Sequence, residues 1–271
     1  MKNQFKGKIA IVTGGTQGLG EAIARLFAER GAAGLVIVGR NKKRGKAVAD
    51  SITKSRCKTV FVAADLGDLA AARKIVSAAA KAFGRVDVLV NAAAITDRGT
   101  LIDTSPELFD AMFDVNVRAP FFLMQDAAKL MIRERIEGAM VNILSMSAHG
   151  GQPFIIAYCG SKGALATLTK NAAYSLLKNR IRVNGLAIGW MDTPGDDRIQ
   201  KLYHDAPDNW LARAEAEKPF GRLLKPAEVA RSVAYLASEE SGMMTGAIID
   251  FDQQVMGTNE SPPPRSEALA L

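Results

Sequence analysis

Cysteine, histidine and tryptophan each occur only twice in these 271 residues, and the two cysteines form no CxxC pair. That scarcity excludes a disulfide framework and a Cys/His zinc cluster, and no metal site is expected. Long apolar runs are missing as well. Those present, such as Leu35 to Val38 and Val88 to Val90, are strand-length, far short of the roughly 20 residues that a bilayer-crossing helix needs. The polar, basic start, Met1 to Lys8, leads into a strand-like Ile9 to Thr13 with no apolar signal region, so the chain is read as cytoplasmic with no membrane partner. Acidic residues are scarce in one place. From Arg40 to Lys58 there are eight cations and one anion, Asp50, which accounts for the whole formal charge of +7 and leaves the rest of the chain neutral. A surplus confined to one segment points to a local anion, and nucleic acid is not the expected partner.

What is present is an alternation of short β-rich runs with longer helical patterns in a chain that is 48% hydrophobic. Strands are expected at Lys8 to Thr13, Gly34 to Gly39, Lys58 to Ala63, Val86 to Asn91, Ala139 to Ser145, Arg182 to Ala187 and Ala247 to Phe251. Helices are expected at Gly18 to Arg30, Asn41 to Lys54, Asp68 to Phe83, Pro106 to Glu137, Ala157 to Asn179, Asp196 to Glu217 and Pro226 to Ser238. Such a pattern predicts an α/β fold, a doubly wound parallel sheet of about seven strands with helices on both faces, in a single domain spanning 1–259. The Pro-containing tail, 260–271, can continue neither a helix nor a central strand.

Two constellations carry chemistry. The first strand runs into Thr13-Gly14-Gly15-Thr16-Gln17-Gly18-Leu19-Gly20 and a helix pattern starts at once. Glycines at 14, 18 and 20 allow a tight turn and close approach of a pyrophosphate, whose charge then lies at the helix N-terminus. The spacing is neither GxGxxG nor a P-loop, since no Gly-Lys-Ser/Thr follows. The second constellation is Ser145, Tyr158 and Lys162. Four residues apart on a helix, Tyr158 and Lys162 share a face, and an ammonium beside a phenol is expected to lower the phenol's pKa and equip it for proton transfer. Ser145 ends a strand, where its hydroxyl can meet a substrate oxygen at the carboxyl edge of the sheet.

Together these motifs resemble the short-chain dehydrogenase/reductase family over nearly the whole chain, from about Lys6 to about Gln254, and imply its Rossmann-type fold. The resemblance implies that the turn residues Gly14, Thr16, Gln17, Gly18, Leu19 and Gly20 bind a dinucleotide diphosphate. It also implies that Asn116, in Asp114-Val115-Asn116-Val117, joins Ser145, Tyr158 and Lys162 as a catalytic set and orders a proton-relaying water toward Lys162. By the same resemblance Asp65 and Leu66 contact the adenine, Asn91 opens the segment over the adenosine, and Gly189, Met191 and Thr193 lie near the nicotinamide. Tyr158 and Lys162 also touch the cofactor. The chain departs from the family pattern at Asn91-Ala92-Ala93-Ala94, at Ile188 and at Asp252-Gln253-Gln254. The family further implies a homotetramer or homodimer built through the helices at Pro106 to Glu137 and Ala157 to Asn179, and a substrate lid near 194–220.

Cofactor choice returns to the cation-rich window. The second strand ends in Gly39-Arg40, where an acidic residue would select the ribose 2′-hydroxyl of NAD. A planar guanidinium suits a 2′-phosphate instead, so NADP is the expected cofactor, with NAD as the alternative. Lys42, Lys43 and Arg44 add to the positive field. The lid region mixes acids with Trp190 and Trp210, a composition suited to a small hydroxylated substrate such as a sugar or polyol; Trp210 serving only to staple the lid is an equal reading. His149 and Trp190 are further candidates for substrate contact. Rival readings are a 3-oxoacyl thioester reductase and, in another class, a non-catalytic dinucleotide sensor.

Overall fold

The computed structural model describes residues 3–55, 57–150 and 152–257. Seven parallel strands form one sheet in the order β3-β2-β1-β4-β5-β6-β7. They are β1 (Ile9–Thr13), β2 (Gly34–Gly39), β3 (Lys58–Ala63), β4 (Val88–Asn91), β5 (Ala139–Ser145), β6 (Arg182–Ile188) and β7 (Ile248–Phe251). The helices are α1 (Gly18–Glu29), α2 (Lys42–Lys54), α3 (Leu69–Phe83), α4 (Pro106–Phe113), α5 (Ala119–Arg133), α6 (Ile156–Ser175), α7 (Pro194–Tyr203), α8 (Trp210–Ala216) and α9 (Pro226–Ala237).

Parallel strands need crossovers, and crossovers cover both faces of the sheet. On one face Ile75 and Val76 of α3, Leu123 and Met131 of α5 and Leu165 of α6 pack against Ile11, Val36 and Val183. On the other, Ile23 and Phe27 of α1, Ile52 of α2 and Val229 and Val233 of α9 pack against Val12, Ile37, Val90 and Val141. The central strands are accordingly buried along their whole length, whereas the edge strands β3 and β7 are partly open. Strand order reverses between β1 and β4, so a crevice opens beyond their carboxyl ends.

Two expected helices are divided. The stretch 106–137 is α4, a π-helical turn over Asp114–Arg118, and α5. Pro120 lacks the N–H that the Asn116 carbonyl would take four residues on, and the ladder widens there, the Ala119 N–H reaching back to the Asp114 carbonyl. The stretch 196–217 is α7 and α8, parted by Asp205, which adopts φ +44°, and by Pro207. The helix expected to run to Asn179 ends at Ser175 and is followed by a 3-10 turn. The tail 260–271 and Arg56 lie outside the described residues.

Candidate active site

The carboxyl ends of all seven strands converge on a cleft of about 1220 Å³. At β1, Thr13 is buried and its Oγ1 accepts from the N–H groups of Ala92 and Ala93 at 3.0 and 3.1 Å, tying β1 to the segment beyond β4 across the point where strand order reverses. Gly14 and Gly18 adopt φ +68° and +53°, a left-handed conformation that favours glycine. A Cβ on Gly20 would collide with the Gly14 carbonyl, so the first turn of α1 rests directly on the turn backbone. Gln17 precedes α1 without a capping side-chain bond, so the first N–H groups of the helix open on the cleft with Gly14, Thr16, Gly18, Leu19 and Gly20 around them. A dinucleotide diphosphate fits this cradle.

Beyond β2 the cleft is bordered by Arg40 and Arg44, while Lys42 and Lys43 do not line it and Lys46 pairs with Asp50 at 3.0 Å. The Asn41 side chain accepts from the Arg44 N–H at 2.9 Å and starts α2 there. Gly39 faces Thr16 so closely that a Cβ would stand 2.7 Å from its side chain. Asp65 and Leu66 line the wall beyond β3, the Asp65 carboxylate accepting from the Gly67 N–H at 3.0 Å. Asn91 does not reach the cleft. Its Nδ2 donates to Asn142 Oδ1 at 2.8 Å inside the sheet, and its Oδ1 is buried without a partner among the described residues. Ala92 and Ala93 form the wall in its place.

Ser145, Tyr158 and Lys162 all line the floor. Ser145 closes β5, buried, with its Oγ accepting from the Ser147 N–H at 3.1 Å. Lys162 follows Tyr158 by one turn of α6, its Nζ 5.6 Å from the Tyr158 ring centre and donating to the Ile143 carbonyl at 2.8 Å. Burial pushes Lys162 down to about 8. It also pushes Tyr158 up to about 12, opposed by the Ser145 hydroxyl and the positive charge of Arg98. The expected depression of Tyr158 by Lys162 is therefore not found: burial is the largest effect on the phenol, Lys162 is not among the groups that shift it, and the ammonium is directed at a backbone carbonyl.

Asn116 sits in the π-helical turn, fully buried. Its Oδ1 accepts from the Ile95 N–H and its Nδ2 donates to the Ile95 carbonyl, both at 3.0 Å, and Nδ2 also meets Ser161 Oγ at 3.1 Å. The side chain thus joins the loop after β4 to α6 and does not line the cleft. Its carbonyl is the one that Pro120 deprives of a helical donor.

Gly189, Met191 and Thr193 border the cleft beyond β6, and Thr193 Oγ1 caps α7 by accepting from the Asp196 N–H at 3.1 Å. Trp190 lines the cleft, its Nε1 donating to Asp196 Oδ2 at 2.6 Å. Trp210 stacks on it at 6.0 Å but is itself buried against Ala214 and Leu223, donating to Asp197 at 2.8 Å. The geometry matches a staple. His149 turns away to Asp250 on β7, at 2.9 Å, and does not line the cleft. Sequence reasoning missed Arg98, Gln152 and Phe154, which do line it. They lie on loops without a motif, and only their place just beyond β4 and β5 could have marked them.

The geometry has relatives. Residues 14–253 match the family model described as enoyl-(acyl carrier protein) reductase. Among curated proteins, an uncharacterized oxidoreductase of Methylorubrum extorquens is 34% identical, covering 92% of this chain and 97% of that protein. A 3-oxoacyl-[acyl-carrier-protein] reductase of Thermotoga maritima is also 34% identical, covering 92% and 98%, and a sorbitol dehydrogenase of Cereibacter sphaeroides is 29% identical, covering 92% and 97%. A solved short-chain type dehydrogenase/reductase from Mycobacterium marinum superposes with a TM-score of 0.81 at 30% identity, covering 92% and 95%.

Proposed function

The chain belongs to the short-chain dehydrogenase/reductase family, whose members bind NAD(P), and from that premise we propose that it transfers hydride reversibly between NADP(H) and a carbonyl or secondary-alcohol carbon of a small hydroxylated substrate, a sugar or polyol. One observation carries the reading: Ser145, Tyr158 and Lys162 share the floor of the cleft whose other end is the glycine cradle. The nicotinamide, when bound, supplies or accepts the hydride.

The chain's own residues do the rest. The first-turn N–H groups of α1 and the glycine turn receive the diphosphate, Asp65 and Leu66 flank the adenine, and Gly189, Met191 and Thr193 border the nicotinamide. Arg40, with Arg44 behind it, meets the 2′-phosphate. Ser145 Oγ holds the substrate oxygen by donating to it. Tyr158 Oη delivers the proton in reduction and takes it back in oxidation; a phenol protonated at neutral pH suits the first role directly. Lys162 supplies positive charge beside the phenol and reaches toward the ribose. Asn116 positions α6 through Ser161.

The substrate class rests on the lining. Arg98, Gln152, Asp196, Gln200 and His204 offer donors and acceptors around the floor, the arrangement hydroxyl groups require. A 3-oxoacyl thioester, favoured by the Thermotoga maritima relative, would leave many of these groups unpaired. An intact Ser-Tyr-Lys set argues against a non-catalytic sensor. The apolar side chains exposed on α4 and α5, Phe109, Phe121 and Ile132, support a homo-oligomer built through those helices. Tyr158→Phe tests the mechanism: turnover of every alcohol and carbonyl should be lost while NADPH binding, read by titration calorimetry, stays within about twofold. Retained turnover would overturn it.

A further inference from the structure

Arg98 leaves the loop beyond β4 and enters the wall of the cleft that holds Ser145 and Tyr158. Its guanidinium is held on three sides. Nε donates to His204 Nε2 at 3.2 Å, Nη1 donates to the Thr96 carbonyl at 2.8 Å, and the plane lies over the Phe154 ring, 5.4 Å from its centre. Phe154 in turn meets His204 edge-on at 5.6 Å. Among the described residues no carboxylate comes within ion-pair distance, and Nη2 bonds nothing. A partly buried guanidinium held by these contacts, in direct contact with no carboxylate though within the field of Asp196 and Asp97, and with one edge open, is a receptor for a planar anion. Its proximity to the reacting end shows in the electrostatics: the Arg98 charge acts on the Tyr158 phenol, and burial lowers the pKa of Arg98 itself.

Asp196 lines the same cleft, with Oδ2 held by Trp190 Nε1. Burial raises its pKa, and the Arg98 charge reaches it without contact. A carboxylate there accepts from hydroxyl groups and repels a second anion. We propose that Arg98 anchors a substrate carboxylate, so that the substrate is a polyhydroxylated monocarboxylate rather than a neutral sugar or polyol; this rests on the hydroxylated-substrate reading above. One fork and one acid in the same cleft select a single negative charge with hydroxyls beside it.

The experiment compares a stereochemical series of aldonates with the alditols of the same chain length, oxidised by the full-length protein with saturating NADP. The wild type should favour an aldonate in kcat/KM by about 10-fold or more, and the aldonate KM should rise with ionic strength while the alditol KM does not. Arg98→Gln should lower kcat/KM for the aldonate by about 100-fold, mainly through KM, and for the alditol by less than about 10-fold, since a neutral hydrogen bond is the weaker loss. Arg98→Lys, which keeps the charge but not the fork, should fall between the two and serves if the glutamine variant does not fold. Preference for alditols by the wild type, or equal losses on both substrates in the variants, would overturn the anchor and leave the hydroxylated-substrate reading standing. Turnover of neither series, with 3-oxoacyl thioesters reduced instead, would overturn both.

Discussion

Arg40 and Arg44 can be removed one after the other to test where the local surplus of positive charge acts. Both border the cleft just beyond β2, both are exposed, and among the described residues neither forms an ion pair within the chain. A charge-assisted hydrogen bond contributes about 1.5–3 kcal/mol when well shielded; exposure to solvent and salt reduces this to about 1 kcal/mol for each arginine. Arg40→Ala should then raise the NADPH dissociation constant about 5-fold, and the double alanine variant about 30-fold. NADH, which presents a neutral hydroxyl at that point, should change by less than about twofold. Titration calorimetry at fixed ionic strength measures both, and the difference should shrink at high salt as the charges are screened. Because neither guanidinium supports the fold, unfolding free energy should stay within about 0.5 kcal/mol of the wild type, which separates lost recognition from lost structure. Equal weakening of NADPH and NADH, or no change in NADPH, would refute the assignment of the 2′-phosphate to this corner.

Trp210→Ala should loosen the lid and spare the sheet. A buried tryptophan replaced by alanine costs about 3–5 kcal/mol, and here the loss falls on the small cluster with Ala214 and Leu223, so limited proteolysis within 203–217 should accelerate while the main calorimetric transition moves little; unchanged cleavage would contradict the staple. Tyr158 and Lys162 of α6 predict opposite dependences of stability on pH. From about pH 8 to about 10, the unfolded chain holds a proton on Lys162 that the folded chain gives up, so stability rises with pH through this residue. Above about pH 10 the folded chain keeps the Tyr158 proton that the unfolded chain sheds, so stability falls with pH. Chemical denaturation of the wild type and Lys162→Met across that range should show the rising contribution in the wild type alone.

Much of the fold is legible because hydrophobic periodicity is a local property. Short β-rich runs between amphipathic stretches leave few alternatives to a doubly wound parallel sheet, and each proposed strand exists within two residues of its expected ends. Breaks inside elements are harder to read. A proline such as Pro120 removes a donor wherever it falls, but it can kink, end or widen a helix, and only the surroundings of Asn116 select the π-helical turn over Asp114–Arg118. Asp205 and Pro207 likewise divide a stretch whose composition reads as one helix.

At the site the division follows from what a spacing can express. The glycine turn and the Tyr158–Lys162 pair are readable in the linear chain, because a turn and a helical repeat hold their partners within a few residues of one another. Ionisation, direction and partnership are not, since they depend on segments far apart in the chain. Burial, rather than the neighbouring ammonium, governs Tyr158. Asn91 and Asn116 turn into the interior although their motifs suggest the cleft. His149 finds Asp250 from the last strand. Arg98 belongs to no motif and becomes a feature of the cleft because folding sets it against Thr96, Phe154 and His204 while, among the described residues, no carboxylate forms an ion pair with it. The chain's chemistry class can thus be read from its local spacings, whereas the environment of each group, and with it the substrate, depends on which distant residues share one wall and how much water they exclude.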